Sequence, residues 1–588
     1  MRNDDFRYMR YVGERYFDNR FATLNEIKNK LTPFDFTKNK QEMNSGGTPL
    51  ALDGNEGYVD SSDTHTLIVG STGSMKTRAF IVPTIISLGL AGEDMVVSDP
   101  KGELYEYTSG FLKKHGYQIN VLNFRDLEKS HHWNPLHEAY KLFEEGNKDE
   151  AKLMLYDIVN IIMHENINKT NDQYWPMAGR DFLYGTLQLL LFACNNEEEF
   201  NLSSLKGFLS SVYADKDSAI SRDFKNVLYA LPDISPIKTM LSQVVLNADS
   251  TKRGILGHVS QGTSLFLRSE KVNKLVSFSE FDLHDYANSK KKIITYIIVP
   301  DEKTSFHFFC SMFVKQLYEV LINEASKKPN RTLERRVNFL LDEFANIPAI
   351  PEMSSMISAA RSRNIRFFLV LQSNAQLIRK YGPEEAQNIK TNCQTWCFLN
   401  SKEMDLIREV QEYIGYDSTS PNKHLISTGE LSMLEKKWPK VQSIILMSRA
   451  RPFLSTLSDF SLYKCIYDDG KLIYPAAEIE FTTKPLVTFD FTKEITNKFK
   501  SNRFNFIKDV LQKEGTEISD SELRFFLNDE EDDDDDDDFF TKHDLDILNS
   551  VKSREEIIKD ASSINDETDL SDDDLEPLSK MRKNKKRK

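Results

Sequence analysis

Two rhythms of apolar and polar positions divide this chain. Short, nearly continuous apolar runs recur in its first and third quarters: THTLIVG (64–70), DMVVSD (94–99) and QINVLNF (118–124), then KKIITYIIVPD, RRVNFLLDEF, RNIRFFLVLQS and CQTWCFLNS. Runs of this length that lack a polar alternate face predict strands buried on both sides. Between them lie segments of helical length. TRAFIVPTIISLGL carries Pro83 within its first two turns, and PKGELYEYTSGFLKKHG is closed by Gly116. Strand and helix in alternation predict a largely parallel α/β sheet. From about His137 to Phe266 the strand signals vanish, and EEGNKDEAKLMLYDIVNIIMHE, QYWPMAGRDFLYGTLQLLLFA, SLKGFLSSVYA and IKTMLSQVVLN predict an all-helical block inserted into that frame.

The resulting organisation is a polar N-terminal segment (1–60) with one helix near Thr23–Leu31 and a loop at NSGGTP, then an α/β domain in two parts (61–136 and 271–485) around an all-α insertion (137–270). A C-terminal extension (486–528) carries one helix near Phe504–Leu511, and a low-complexity tail (529–588) follows. At 588 residues more than one domain is expected. The tail holds 22 acidic and 11 basic residues, leaving 68 and 65 for the rest, so the net charge of −14 describes the tail and not the body. Such a tail cannot bury enough apolar surface to offset its ordering entropy. It reads either as a solvated arm or, through the apolar residues of DDFFTKHDLDILNSV, as a docking arm for a basic partner; its end, KNKKRK, suits nucleic acid, anionic lipid or the acidic run itself.

The five cysteines (Cys194, Cys310, Cys393, Cys397, Cys465) form no disulfide framework and fit a reducing cytosol. Cys393 and Cys397 lack a second ligand pair nearby and read as two half-buried strand thiols rather than a metal site. No stretch reaches the roughly 18–20 apolar residues of a membrane span. The first 20 residues have no apolar core of a signal peptide. A cytoplasmic protein is expected.

The chemistry concentrates in VGSTGSMKTR. A triphosphate needs backbone N–H donors pointing inward, a helix N-terminus behind them and a lysine reaching the outer phosphates. Gly70, Ser71, Thr72, Gly73, Ser74, Met75, Lys76, Thr77 and Arg78 supply such a loop between strand and helix, except that Met75 stands where the usual pattern has glycine. Gly73 is the natural place for a positive φ. Position 75 borders the helix, where φ should be negative and a side chain can point away from phosphate. The loop is therefore a working site, a degenerate one or a chance likeness. RRVNFLLDEF, about 265 residues downstream, favours a working one. Asp342 ends its apolar run, where an aspartate orients magnesium, and Glu343 can polarise the attacking water. Thr77 would give magnesium its hydroxyl ligand.

With these motifs the chain resembles the coupling proteins of type IV secretion systems, the DNA-transfer ATPases of bacterial conjugation. The likeness spans roughly residues 20–470. It rests on HTLIVGSTGSMKTR, VVSDPKGELYEYTSGFLKKHGYQINVLNF with WNPL, QYWPMAGRDFL, LLDEFANIPAIPEMSSMISAARSRNIRFFLVLQSNAQL and YGPEEAQNIKTNCQTWCFLNS. DPKGELYEYTSG is its most specific part. The resemblance implies a RecA-like P-loop ATPase domain with an all-α insertion, ATP and magnesium as cofactors, and a ring, a homohexamer when active, that moves single-stranded DNA with its relaxase toward a membrane channel. It implies that Arg361 reaches a neighbouring subunit's site and that Gln372, ending FFLVLQ, senses the γ-phosphate; a polar residue at that end of a parallel strand faces the ligand crevice. The other reading of Arg361 is ordinary basic surface, with Arg363 and Arg366 close by. Most members begin with membrane-spanning helices that this chain lacks, which implies a peripheral protein brought to the membrane by an adaptor or channel protein, alongside relaxase and accessory DNA-processing partners. LERR and RSRNIR read as solvated basic surface or as DNA contacts. Two other functions stay open: a nucleotide-regulated scaffold that does not hydrolyse, and an FtsK-type DNA translocase, against which the acidic tail speaks.

Overall fold

The computed structural model describes residues 19–527 except 39–42, 169–171, 206–207, 210–218, 247–248 and 418–419. The N-terminal 18 residues and the acidic tail with its basic end, on which the docking readings fell, lie outside the described residues, as does most of SLKGFLSSVYA. Contact density divides the chain once, into Met1–Leu523 and Arg524–Lys588.

The seven apolar runs form seven strands of one sheet: β4 (Thr66–Val69), β5 (Asp94–Ser98), β6 (Tyr117–Asn123), β7 (Lys292–Ile298), β8 (Val337–Leu341), β9 (Ile365–Leu371) and β10 (Thr395–Phe398). All seven run parallel, in the order β10-β4-β9-β8-β5-β7-β6. β5, β8 and β9 are buried at every position. That burial explains their unbroken apolar sequence, since both faces are covered. The helix Val82–Ala91 is buried along almost its whole length and ends on Gly92 at φ 72°. Between β6 and β7 every described element is a helix.

Three features differ from the sequence reading. First, after a separate antiparallel pair, β11 (Tyr416–Asp417) and β12 (Ser420–His424), the sheet continues antiparallel beyond β10, through β14 (Lys440–Met447), which pairs with both β13 (Lys436–Lys437) and β15 (Phe453–Ser458). Second, residues 19–60 are not merely polar with one helix. After the helix Leu24–Lys28, with Thr23 as its cap, come β1 (Thr32–Asp35), β2 (Thr48–Asp53) and β3 (Glu56–Asp60), a separate antiparallel sheet. Phe34, Leu50 and Val59 of this sheet join the core under the helix Val82–Ala91. NSGGTP is a packing wedge: the Gly47 N–H donates to Ser87 Oγ at 3.1 Å, and a Cβ on Gly46 would lie 2.6 Å from the Ser87 carbonyl oxygen. Only glycine permits that approach. Third, residues 486–523 hold more than the one helix near Phe504. Phe491–Ser501 and Arg503–Glu514 lie on the helical block, where Glu514 Oε1 accepts from Ser235 Oγ (2.8 Å) and the Ile237 N–H (3.0 Å), capping the helix Pro236–Val245.

Three arginines of the basic clusters, Arg335, Arg336 and Arg366, are not solvated surface, whereas Arg361 and Arg363 stay partly exposed. Arg366 is 1% exposed. Its Nη2 donates to Glu93 Oε2 (3.0 Å) and its Nε to Asn338 Oδ1 (2.8 Å), while Asn338 Nδ2 donates to the same Glu93 oxygen at 2.9 Å. Arg335 Nε meets Asp94 at 2.6 Å and Arg336 Nη1 reaches Ser45 Oγ at 3.0 Å. Burial lowers the Arg366 pKa to about 10, so the guanidinium stays charged at neutral pH. These arginines tie the amino ends of β5, β8 and β9 to the N-terminal sheet. The cysteine reading changes too: Cys393 caps the helix Pro383–Asn392 and only Cys397 lies in β10. Both are buried, and burial pushes the Cys393 thiol up to about 12. Among the described residues no helix is long and apolar enough to cross a membrane.

Removing one partner of a buried ion pair leaves the other charge without compensation, at about 3–5 kcal/mol. Arg366→Ala is therefore expected to lower the thermal midpoint well beyond Arg408→Ala, whose partner Asp405 is solvated. Calorimetry on both variants checks this; equal midpoints would remove the network from the core's support.

Candidate nucleotide site

β4 delivers Gly70 at the carboxyl end of the sheet, between β9 and β10. The Gly70 N–H donates to the Leu371 carbonyl at 3.1 Å and the Ser71 N–H to the Asn400 carbonyl at 2.9 Å, so both flanking strands fix the start of the loop. Ser71 Oγ adds a bond to Asn400 Oδ1 at 2.7 Å. Gly73 has φ 77° and open space where a Cβ would stand.

Met75 does not sit as the helix-bordering reading expects. Its φ is +72°, and its side chain is 9% exposed within the core. The expectation carried the negative φ of the adjoining helix back to position 75. Instead the chain makes one more left-handed turn there, and Lys76 is the first residue in the right-handed region. The wide turn Thr77–Ile81 follows, with the Val82 N–H bonding back to the Thr77 carbonyl. Pro83, which has no N–H to give, stands just beyond. Position 75 thus demands what glycine offers freely, and methionine holds it by burying its side chain.

The loop is bonded to the acidic strand end through one chain of side chains. Thr72 Oγ1 donates to Gln372 Oε1 (2.8 Å), and Gln372 Nε2 donates to Glu343 Oε1 (2.7 Å). Glu343 is itself left-handed, φ 52°, directly after Asp342. Burial and the neighbouring Glu343 push the Asp342 carboxyl up to about 8 against the pull of Lys76, with Asp99 adding to the rise. Burial likewise lowers the Lys76 pKa. Lys76 Nζ folds onto the loop, donating to the Gly70 carbonyl at 2.6 Å and to that of Ser71 at 3.3 Å. The Arg78 guanidinium is held by Asp459, Nη2 to Oδ1 at 2.8 Å, and lies over the Phe460 ring.

Arg361 is not brought to this cluster. It follows the helix Met353–Ala360 and its Nη2 meets both oxygens of Asp63 at 3.1 Å, at the amino end of β4, opposite Gly70. His65 fixes that helix: its Nδ1 accepts from the Phe367 N–H at 3.0 Å, leaving Nε2–H to donate to the Ile357 carbonyl at 2.8 Å.

Sequence reasoning missed Asn400, Asp99 and Lys436. Asn400 follows an apolar strand as Gln372 does, so the same rule could have found it. Asp99, pushed up to about 6 by burial, accepts the Gly102 and Tyr105 N–H groups at 2.8 Å each and adds negative charge beside Asp342. Lys436, whose Nζ donates to the Gly73 carbonyl at 2.5 Å, comes from a hairpin that carries no sequence signal.

A parallel sheet with a phosphate-type loop after one inner strand and an acidic pair after another defines a P-loop nucleotide-binding protein of the RecA-like class. The family profile described as "Type IV secretory system Conjugative DNA transfer" matches residues 20–431, so the chain belongs to the coupling-protein family of type IV secretion. It is 21% identical over 337 residues to a conjugal transfer protein TraG of Escherichia coli, covering 56% of this chain and 51% of that protein. It is also 21% identical over 407 residues to the coupling protein VirD4 of Bartonella quintana, covering 69% and 59%. The chain thus spans between half and three-fifths of the length of these relatives. The plasmid coupling protein TrwB, solved with a non-hydrolysable ATP analogue, superposes with a TM-score of 0.50 at 14% identity, covering 78% of this chain and 97% of that one. The fold is shared.

A left-handed φ costs a residue with a Cβ about 1–2 kcal/mol, and glycine nothing. Met75→Gly is therefore expected to be more stable than Met75→Ala by about that amount, both having lost the same buried side chain. A helix position would give the reverse order. Thermal or denaturant unfolding of the two variants decides between them.

Proposed function

We propose that this chain is an ATP-dependent motor of conjugative DNA transfer. It would bind ATP with magnesium, assemble as a hexameric ring, receive a relaxase with its single-stranded DNA, and drive the strand toward a membrane channel to which an adaptor holds it. The observation that carries the reading is the bonded chain Thr72–Gln372–Glu343 beside Lys76 and Asp342, with Gln372 spanning from the loop to the acidic pair.

The residues fit a magnesium-bound triphosphate. Ser74 Oγ is buried with no hydrogen-bond partner, the Cβ position of Gly73 is open, and Asp342 is a buried carboxyl group with no cation bonded to it among the described residues; a bound cation would lower its raised pKa. Bound nucleotide and magnesium would supply a phosphoryl group activated for transfer to water. The loop N–H groups from Gly73 to Thr77 cradle phosphate oxygens, and Lys76 leaves the Gly70 carbonyl to meet the outer ones. Thr77 and Asp342 would hold the metal. Glu343 orients the water, and Gln372 registers the terminal phosphate by exchanging its bond to Thr72. Arg361, at the far end of its own β4, serves a neighbouring subunit's site. Asp63 keeps it extended there until that subunit docks.

The scaffold reading has one observation in its favour, the methionine at a left-handed loop position. Turnover decides. Lys76→Ala and Glu343→Gln are each expected to abolish DNA transfer and to cut ATP hydrolysis at least about 100-fold, with Glu343→Gln still binding ATP. Normal turnover in Glu343→Gln would remove Glu343 from the water-orienting role, and a wild-type chain that binds ATP without hydrolysing it, with or without single-stranded DNA, would favour the scaffold. Mixed rings of Arg361→Ala and Lys76→Ala subunits should regain part of the activity, because some interfaces then pair an intact loop with an intact arginine. No recovery in assembled rings counts against action in trans.

A further inference from the structure

We propose that the hairpin turn at Trp438 is the nucleobase subsite of the phosphate loop, with the indole stacking on the base of a bound nucleoside triphosphate. The proposal rests on the nucleotide reading above and extends it to the part of the ligand that the loop does not touch.

β13 and β14 pair Lys436 with Val441 and Lys437 with Lys440, which leaves Trp438 and Pro439 as the two residues of the turn. Two separate contacts hold this turn against the loop. Lys436 Nζ donates to the Gly73 carbonyl, and the Asp459 N–H donates to the Pro439 carbonyl at 2.7 Å while the Asp459 carboxylate holds Arg78. One contact is at the loop's midpoint and the other just after its end, so the turn is anchored on both flanks of the phosphate cradle.

The sheet order then gives the ligand a direction. The groups suited to the terminal phosphate, Gln372 and the Asp342–Glu343 pair, follow β9 and β8, on one side of β4. β10, β14 and the Trp438 turn lie on the other side. A triphosphate with its outer end toward Lys76 and Glu343 presents its nucleoside end toward the turn. There the chain offers an indole that is 69% exposed and, among the described residues, makes no hydrogen bond or ring contact. Exposed tryptophan costs apolar hydration, and stacking on a planar base relieves it. Lys437 and Lys440, both exposed on the same turn, add positive charge to that end of the site. Stacking of this kind is tolerant of base identity, because every base presents a π face. The site therefore takes nucleoside triphosphates generally and does not select adenine.

The test separates base from phosphate. MgATP, MgGTP and magnesium tripolyphosphate are titrated calorimetrically into the full-length wild type, Trp438→Ala and Trp438→Phe. Trp438→Ala is expected to weaken ATP and GTP alike by about 5- to 150-fold, the range a lost base–aromatic stack gives, and to leave tripolyphosphate unchanged. Trp438→Phe should keep most of the affinity. Equal loss for tripolyphosphate, or no loss for either nucleotide, overturns the subsite. So does Trp438→Ala with normal nucleotide affinity and weakened single-stranded DNA binding, which would make the indole a DNA contact. A wild-type chain that binds neither nucleotide nor tripolyphosphate overturns the nucleotide reading itself, and the subsite with it.

Discussion

The register of β4 between β9 and β10 is the constraint on which the site depends. Val69 lies opposite Leu371 on one side and Phe398 on the other. Parallel strands in that register finish at the same level, so Gly70, Gln372 and Leu399 emerge side by side, with Asn400 one residue further on. β8, in register with β9 through Leu341 opposite Leu369, brings Asp342 out close to the same level. A slip of one residue in any of these pairings would turn the carboxyl-end side chain to the other face. The bonds Gly70 to Leu371, Ser71 to Asn400 and Thr72 to Gln372 to Glu343 are consequences of that alignment.

The opposite end of the sheet is held by charge. Glu93, Asp94, Arg335, Arg336 and Arg366 form a buried polar network across β5, β8 and β9 and into the N-terminal sheet. Its members satisfy one another closely, as buried charges must if they are not to destabilise the core. One edge of this region is open. Arg361 and Asp63 are partly exposed there, so the contact is screened and weak enough to exchange. The rigid network thus stands beside a replaceable ion pair. That arrangement suits the role in trans proposed for Arg361.

The strain at Met75 follows from the same geometry. The loop has to turn from strand to helix within six residues, and two of them, Gly73 and Met75, take positive φ. Glycine would do this at no steric cost. Methionine offsets part of the strain by burying its thioether in the core that the helix Val82–Ala91 shares with β1, β2 and β3. That core explains why residues 19–60 belong to the nucleotide-binding unit instead of trailing from it.

The sequence by itself determined the seven inner strands, the helical block between them, and the pairing of VGSTGSMKTR with LLDEF. These are written in local pattern, because a strand buried on both faces must be apolar throughout and a phosphate loop must follow such a strand. It also pointed to Gln372 by its place at a strand end. Only the tertiary structure decided the rest. Arg336 of LERR and Arg366 of RSRNIR look like surface until Glu93, more than 200 residues from them, is seen between the two. The backbone angle at Met75 depends on where the helix starts, which local propensity does not fix. β13 to β15 and the strands of the N-terminal sheet are mixed in burial and polarity, and such strands leave little periodic signal. The Trp438 turn beside the loop has none at all. Its place is set by contacts from Gly73 and Asp459, between residues that only the folded chain brings together.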